Sequence, residues 1–162
     1  MSESNEKEIK LTLDEVNELV SNFLKKYPFT ISWRIRQHCK VLTKHLNPGE
    51  KIIYVFTAQN NSRTFNICES CVIAFTNKRI ILARKNILWG YQLLTVTPDL
   101  FNDFEVYKGM IFGRLDIDTV KEVIKLSDID PRALVEIETN LSEYLLKIKP
   151  KFMKKKEKEE TN

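Results

Sequence analysis

Four glycines, two histidines and three cysteines in 162 residues leave little material for several kinds of functional site. With so few glycines and histidines the chain holds no Gly-rich phosphate loop, no Ser/His/Asp arrangement and no His-Glu-x-x-His motif. Nothing in the sequence therefore points to an enzyme. An odd number of cysteines argues against a disulfide framework and for reduced thiols in a cytoplasmic protein. No run of about 18 consecutive apolar residues occurs, so no membrane-spanning helix is expected. The opening residues, MSESNEKEIK, are polar and charged without an apolar core, so no secretory signal is expected there.

What is present fits one globular domain: 43% hydrophobic and 30% charged residues. The 26 Lys and Arg against 22 Asp and Glu give a net charge of +4. Residues 147–162 hold seven Lys and three Glu, so the whole excess lies in the tail and the remaining body is neutral. A neutral body without a recognition motif argues against sequence-specific binding of nucleic acid.

Residues 1–11 read as disordered. Thr12 and Glu15 fit a capping box, and Leu13, Val16, Leu19, Val20, Phe23 and Leu24 continue at helical spacing to about Lys26. Pro28 ends that helix. A second one is predicted from about Ser32 to Leu46, with Ile31, Ile35, Cys39, Leu42 and Leu46 on one face, and NPGE stops it. Residues 12–46 thus read as a helical hairpin. From Lys51 the character changes to seven short runs rich in β-branched and aromatic residues: KIIYVFTA, CVIAF, RIILA, YQLLTV, DFEVY, MIFGRLDID and EVIKL. Turn signals such as QNNSR, NK, NILWG and KG separate them. The connections are too short for crossover helices, so the strands form an antiparallel meander, folded as a barrel or sandwich. Asp130 as N-cap and Pro131 at the first helical position then open a helix striped with Leu134, Ile137, Leu141, Tyr144, Leu145 and Ile148. Residues 150–162 read as a disordered basic tail.

Seven antiparallel strands closed by one C-terminal helix resemble a pleckstrin-homology (PH)-like domain, here over residues 47–149. The fold class is accordingly mainly β with helices (α+β), with the helical hairpin ahead of the barrel. The local pattern resembles the short bacterial PH-like (YokE-type) domains: Gly49 and Glu50 before the first strand, Thr76, Asn77 and Arg79 in a hairpin, then Gly109 and Gly113 around an apolar segment. The resemblance implies a non-catalytic scaffold used for binding, and PH-like domains can pair through edge strands. Homo-oligomerisation by that route is an expectation. The loop at 57–70, where eukaryotic PH domains hold inositol phosphates with several cations, carries only Arg63 against Glu69. That argues against specific phosphoinositide recognition.

The pair Cys68 and Cys71 has metal-ligand spacing, and a site with His38 and His45 can be drawn. A structural zinc needs four ligands, normally two such pairs, and docking of the hairpin on the second strand is not required by the pattern. Cys39 and Cys71 therefore read as small buried apolar residues, with no metal and no cofactor expected. Trp33, Arg36, Lys40 and Lys44 are predicted to share one side of the second helix, as a membrane-surface or phosphate-contacting helix would. In the tail, Lys154, Lys155 and Lys156 are candidates for contact with an anionic membrane, aided by Phe152 and Met153. The expectation is an intracellular adaptor that contacts a protein partner, at the inner membrane face or in the cytoplasm. The alternative is an anionic-lipid-binding module driven by the basic tail and the Trp33, Arg36, Lys40 and Lys44 stripe, and a third reading is a zinc or redox regulator using Cys68 and Cys71.

Overall fold

The computed structural model describes residues 11–60 and 69–161, so Arg63, Cys68 and residues 1–10 of the expected disordered segment lie outside the described residues. Helix α1 spans Leu13–Lys26. Thr12 Oγ1 accepts from Glu15 N–H at 3.3 Å and the Glu15 carboxylate accepts from Thr12 N–H at 2.7 Å, which closes the capping box. Helix α2 spans Ile35–His45 and starts later than the sequence predicts. Arg34 takes a left-handed conformation (φ 53°, ψ 34°), and this reversal leaves Trp33 outside the helix.

All seven expected strands form: β1 Ile52–Asn60, β2 Ser70–Thr76, β3 Ile80–Lys85, β4 Tyr91–Val96, β5 Phe101–Lys108, β6 Gly113–Thr119 and β7 Val123–Ile129. They make one antiparallel sheet in the order β4-β3-β2-β1-β7-β6-β5. Among the described residues, the halves β1–β4 and β5–β7 pair where Gln59 faces Ser127 and Asn60 faces Leu126. β6 begins at Gly113, not at Met110 as its apolar run suggests, because Gly109 N–H bonds Phe112 O at 3.1 Å and makes residues 109–112 a turn.

Every residue of β2 is buried, because the sheet is covered on both faces there. On the inner face Cys71, Ile73 and Phe75 join Phe56, Phe101, Leu115, Ile117 and Leu126 in the barrel core. On the outer face Val72 and Ala74, with Val55, Ile81 and Ala83, meet Val16 and Val20 of α1 and Cys39 and Leu42 of α2. The hairpin at 12–46 is thus packed on the barrel with a core of its own, and burial of each such aliphatic side chain contributes about 1.5–3 kcal/mol. Phe23 and Tyr27 reach past this layer into the barrel core.

The closing helix is α3, Leu134–Glu143, followed by a π-helical turn Tyr144–Ile148 and helix α4, Lys149–Glu160. Its start differs from the expected one. Asp130 holds a turn over 131–133 by accepting from Ala133 N–H and Arg132 N–H, and Ala133 is the N-cap. The tail also departs from expectation, since residues 150–160, within α4, are helical where disorder is predicted. Pro150 follows directly on the π-helical turn, at the second position of α4. Lys149 Nζ donates to Phe101 O, and Lys156 Nζ lies 3.0 Å from Asp99 Oδ2, which ties α4 to the β4–β5 connection.

Candidate functional site

Five of the motif residues, Gly49, Glu50, Thr76, Asn77 and Arg79, meet in one network at the end of the barrel that holds the β2–β3 turn. The Glu50 side chain is fully buried and accepts from Thr76 Oγ1 at 2.7 Å, Arg79 Nε at 3.0 Å, Arg79 Nη2 at 3.1 Å and Asn47 N–H at 2.9 Å. Arg79 Nη2 also donates to His45 O at the C-terminal end of α2, at 2.7 Å. Asn77 Oδ1 accepts from Lys51 N–H. Burial alone would raise the Glu50 pKa, but the Arg79, Asn47 and Thr76 hydrogen bonds outweigh it and hold it below the usual value. These residues lock the entry to β1, the β2–β3 turn and the end of α2 together. Gly113 has a packing role: a Cβ there would lie 2.5 Å from Leu134 Cδ1 of α3.

The hairpin does dock on β2, yet of the candidate cysteine–histidine set the described members Cys71, His38 and His45 are not brought together. Cys71 points into the barrel core and Cys39 into the outer core, with the sheet between them. Burial raises both thiols to about 12, which keeps them protonated. His38 is buried and its Nδ1 accepts from Lys85 N–H at 2.8 Å, while His45 donates from Nδ1 to Val41 O and packs against the Tyr91 ring, tilted by 53°. Among the described residues no group of three or more His, Cys, Asp or Glu could hold a metal ion.

The expected Trp33 stripe is not a stripe. Arg36 pairs with Asp14 of α1 at 2.9 Å, and Lys40 and Lys44 are exposed on α2. Trp33 lies before the helix, its N–H bonded to Ser70 Oγ and its ring under the Arg34 guanidinium at 5.4 Å. In α4, Lys149 and Lys156 face the body. Lys151, Lys154, Lys155 and Lys158, at spacings of three and four, line the opposite, exposed side. Of the three tail candidates, Lys154 and Lys155 therefore face outward and Lys156 does not.

At the other end of the strands lie features that the sequence reading missed. The pairings Gln59–Ser70, Lys85–Tyr91, Lys108–Gly113 and Gln59–Ser127 bring the β3–β4 turn, the β5–β6 turn and the end of β7 to one end of the barrel. The segment Phe29–Trp33 joins them through Ile31 N–H to Asp128 O and Trp33 N–H to Ser70. On the turns, Ile87, Leu88 and Trp89 are 54%, 81% and 83% exposed, and Met110 and Ile111 stand fully or largely in solvent. The signal was in the sequence: three consecutive large apolar residues inside a turn, where Asn, Asp, Gly and Ser are usual. Elsewhere, Asp103 faces Asp118 and Glu105 faces Asp116 on the outer face of β5–β6, lining a cleft of about 380 Å³. A second cleft, about 250 Å³, lies between α1, β1 and Glu136, where Lys26 and Tyr27 both hydrogen-bond the Glu136 carboxylate.

A seven-stranded antiparallel sheet closed by a C-terminal helix defines a PH-like domain. The sequence profile of the family described as Bacterial PH domain matches residues 46–143, and the chain belongs to that family. Among solved structures it is similar to the pleckstrin homology domain from Shewanella amazonensis SB2B, with 15% identity and a TM-score of 0.45, over 70% of this chain and 89% of that one. No curated protein matches the chain. Among the described residues no helix is long and apolar enough to cross a membrane.

Proposed function

We propose that this chain is a non-enzymatic binding module of PH-like fold that α4 anchors to an anionic surface, namely lipid headgroups. The observation that carries this reading is the outward lysine row Lys151, Lys154, Lys155 and Lys158, on a helix whose Lys149 and Lys156 are committed to the body. An ordered row presents its charges together, and each cation near an anionic bilayer contributes about 1 kcal/mol. Of the acidic residues beside it, Glu159 sits 3.7 Å from Lys155 with both side chains exposed, an ion pair of little worth.

The test is co-sedimentation with phosphatidylcholine vesicles, with and without phosphatidylserine, at low and moderate salt. Wild type is expected to bind only the anionic vesicles and to lose binding with salt. Substitution of Lys151, Lys154, Lys155 and Lys158 by Gln is expected to weaken binding by on the order of a hundredfold or more. Equal binding by that variant, or none by wild type, would overturn the anchor. Function would then rest on a protein partner, for which the unpaired edges of β4 and β5 offer free backbone groups for strand addition.

A further inference from the structure

We infer that the opposite end of the barrel is an insertion surface for an anionic lipid bilayer, with Leu88, Trp89, Met110 and Ile111 as the inserting side chains. The inference stands on other residues than the α4 anchor and does not depend on it.

The first ground is the mismatch between backbone and side chains at the two turns. Both are closed by their own main-chain bonds, Asn86 N–H to Gly90 O at 3.3 Å and Gly109 N–H to Phe112 O at 3.1 Å. Gly90 adopts φ +67°, and at Gly109 a Cβ would collide with Phe112 O. The turns are thus shaped by glycine and hydrogen bonds, and their apolar side chains contribute nothing to the shape. Leu88 and Trp89 are more than four-fifths exposed, and Met110 is fully so. Single exposed apolar residues are ordinary, but runs of three at two turns on one end of a domain are not. Keeping them in water is unfavourable unless something apolar receives them.

The second ground is what surrounds the tips. One step back along the strands stand Lys85, Lys108 and Arg114, with Arg34 and Arg132 on neighbouring segments. The carboxylates nearby are either buried or taken up: Asp130 is paired with Arg132, Glu69 lies 3.5 Å from Arg84, and the half-buried Asp128 accepts from Ser127 Oγ. Level with the cations are amphipathic rings, Trp33, Tyr91 and Tyr107, each between 41% and 52% exposed. Apolar tips, then a belt of aromatic rings and cations, is the layering that matches hydrocarbon, interface and anionic headgroup in that order. Arg114 is paired with Asp116 at 3.1 Å and Arg132 with Asp130, but Lys85, Lys108 and Arg34 have no carboxylate partner among the described residues. A protein groove would receive the tips equally well but would not call for three such cations at that depth. Arg34 braces the arrangement: from its left-handed backbone it reaches Asn86 O with Nη1 at 3.4 Å and covers the Trp33 ring.

The experiment uses the full chain carrying Trp33→Phe, so that Trp89 is the sole tryptophan. Its fluorescence is followed on vesicles of phosphatidylcholine and phosphatidylserine, plain or with brominated acyl chains, alongside sedimentation of the Lys→Gln tail variant. Insertion predicts a blue shift on vesicles and quenching by the bromolipids. Leu88→Asp with Ile111→Asp should abolish both and weaken vesicle binding by at least about tenfold, since charged groups enter hydrocarbon poorly. Both substitutions lie in exposed turns, and an unchanged Tm will exclude loss of the fold. Sedimentation without any shift or quenching of Trp89 overturns the insertion surface and leaves the α4 anchor standing. Quenching together with undiminished binding of the tail variant does the reverse. Self-association abolished by the same two Asp substitutions, with no quenching, would assign this end to a second copy of the chain instead.

Discussion

Glu50 and Arg79 decide more than their two positions in the sequence suggest. A carboxylate with no solvent exposure must have its charge met from within, and here one guanidinium supplies two of its four hydrogen bonds. Arg79→Met leaves Glu50 buried with its main partner gone and is expected to cost about 3–5 kcal/mol in urea-denaturation experiments. A loss below about 1 kcal/mol would mean that the network is dispensable and the motif has some other purpose. The family pattern was visible in the sequence as Gly49, Glu50, Thr76, Asn77 and Arg79. Its mechanism was not, because 29 positions separate Glu50 from Arg79 and only the folded turn brings the two side chains together.

At the scale of elements, the approach of α3 to β6 depends on one missing methyl group. Gly113 opens β6 beneath Leu134, the first residue of α3, and a Cβ there would sit 2.5 Å from the leucine side chain. Gly113→Ala is expected to destabilise the domain by about 1–3 kcal/mol through overpacking. Adding Leu134→Val should recover part of that loss, so a double-mutant cycle on chemical denaturation will show coupling between the two sites. Strict additivity would mean that the helix shifts freely and the close approach is not required. The strand pattern was readable because alternation and turn residues are local. The start of β6 was misjudged because Met110–Phe112 are as apolar as a strand and only the Gly109–Phe112 bond makes them a turn.

At the scale of the whole molecule, the sheet carries cores on both faces, and His38 pins α2 to the end of β3. Its Nδ1 accepts from Lys85 N–H at the end of β3, and burial lowers its pKa from 6.5 to about 4. A folded-state pKa below the unfolded value means that the unfolded chain binds the proton first, so stability is full above pH 6.5 and falls as the pH drops toward 4. Between pH 7 and pH 5 the loss is expected to be about 2 kcal/mol, read as a fall in Tm in a single cooperative transition. His38→Asn, whose Oδ1 stands near the Nδ1 position, should flatten that slope; an equally steep slope in the variant would place the pH dependence elsewhere. The same architecture separates the two membrane-facing features. The apolar turns lie where β3, β5 and β7 end, whereas α4 is tied at Asp99 and Phe101, where β4 ends and β5 begins.

Local chemistry, and therefore the sequence alone, determined the seven strands, the capped first helix, the C-terminal apolar stripe and the family pattern, since propensity, capping and alternation act within a few residues. Tertiary structure decided where those elements meet. It packed the hairpin on β1–β3, turned Cys39 and Cys71 to opposite faces of the sheet, and removed Trp33 from the Arg36 row through the left-handed Arg34. It made the tail helical by tethering Lys149 and Lys156, and it gathered two apolar turns at one end of the barrel. The physical reason is common to all of these. Burial and charge pairing depend on which surfaces face each other, and strand register sets that across tens of residues.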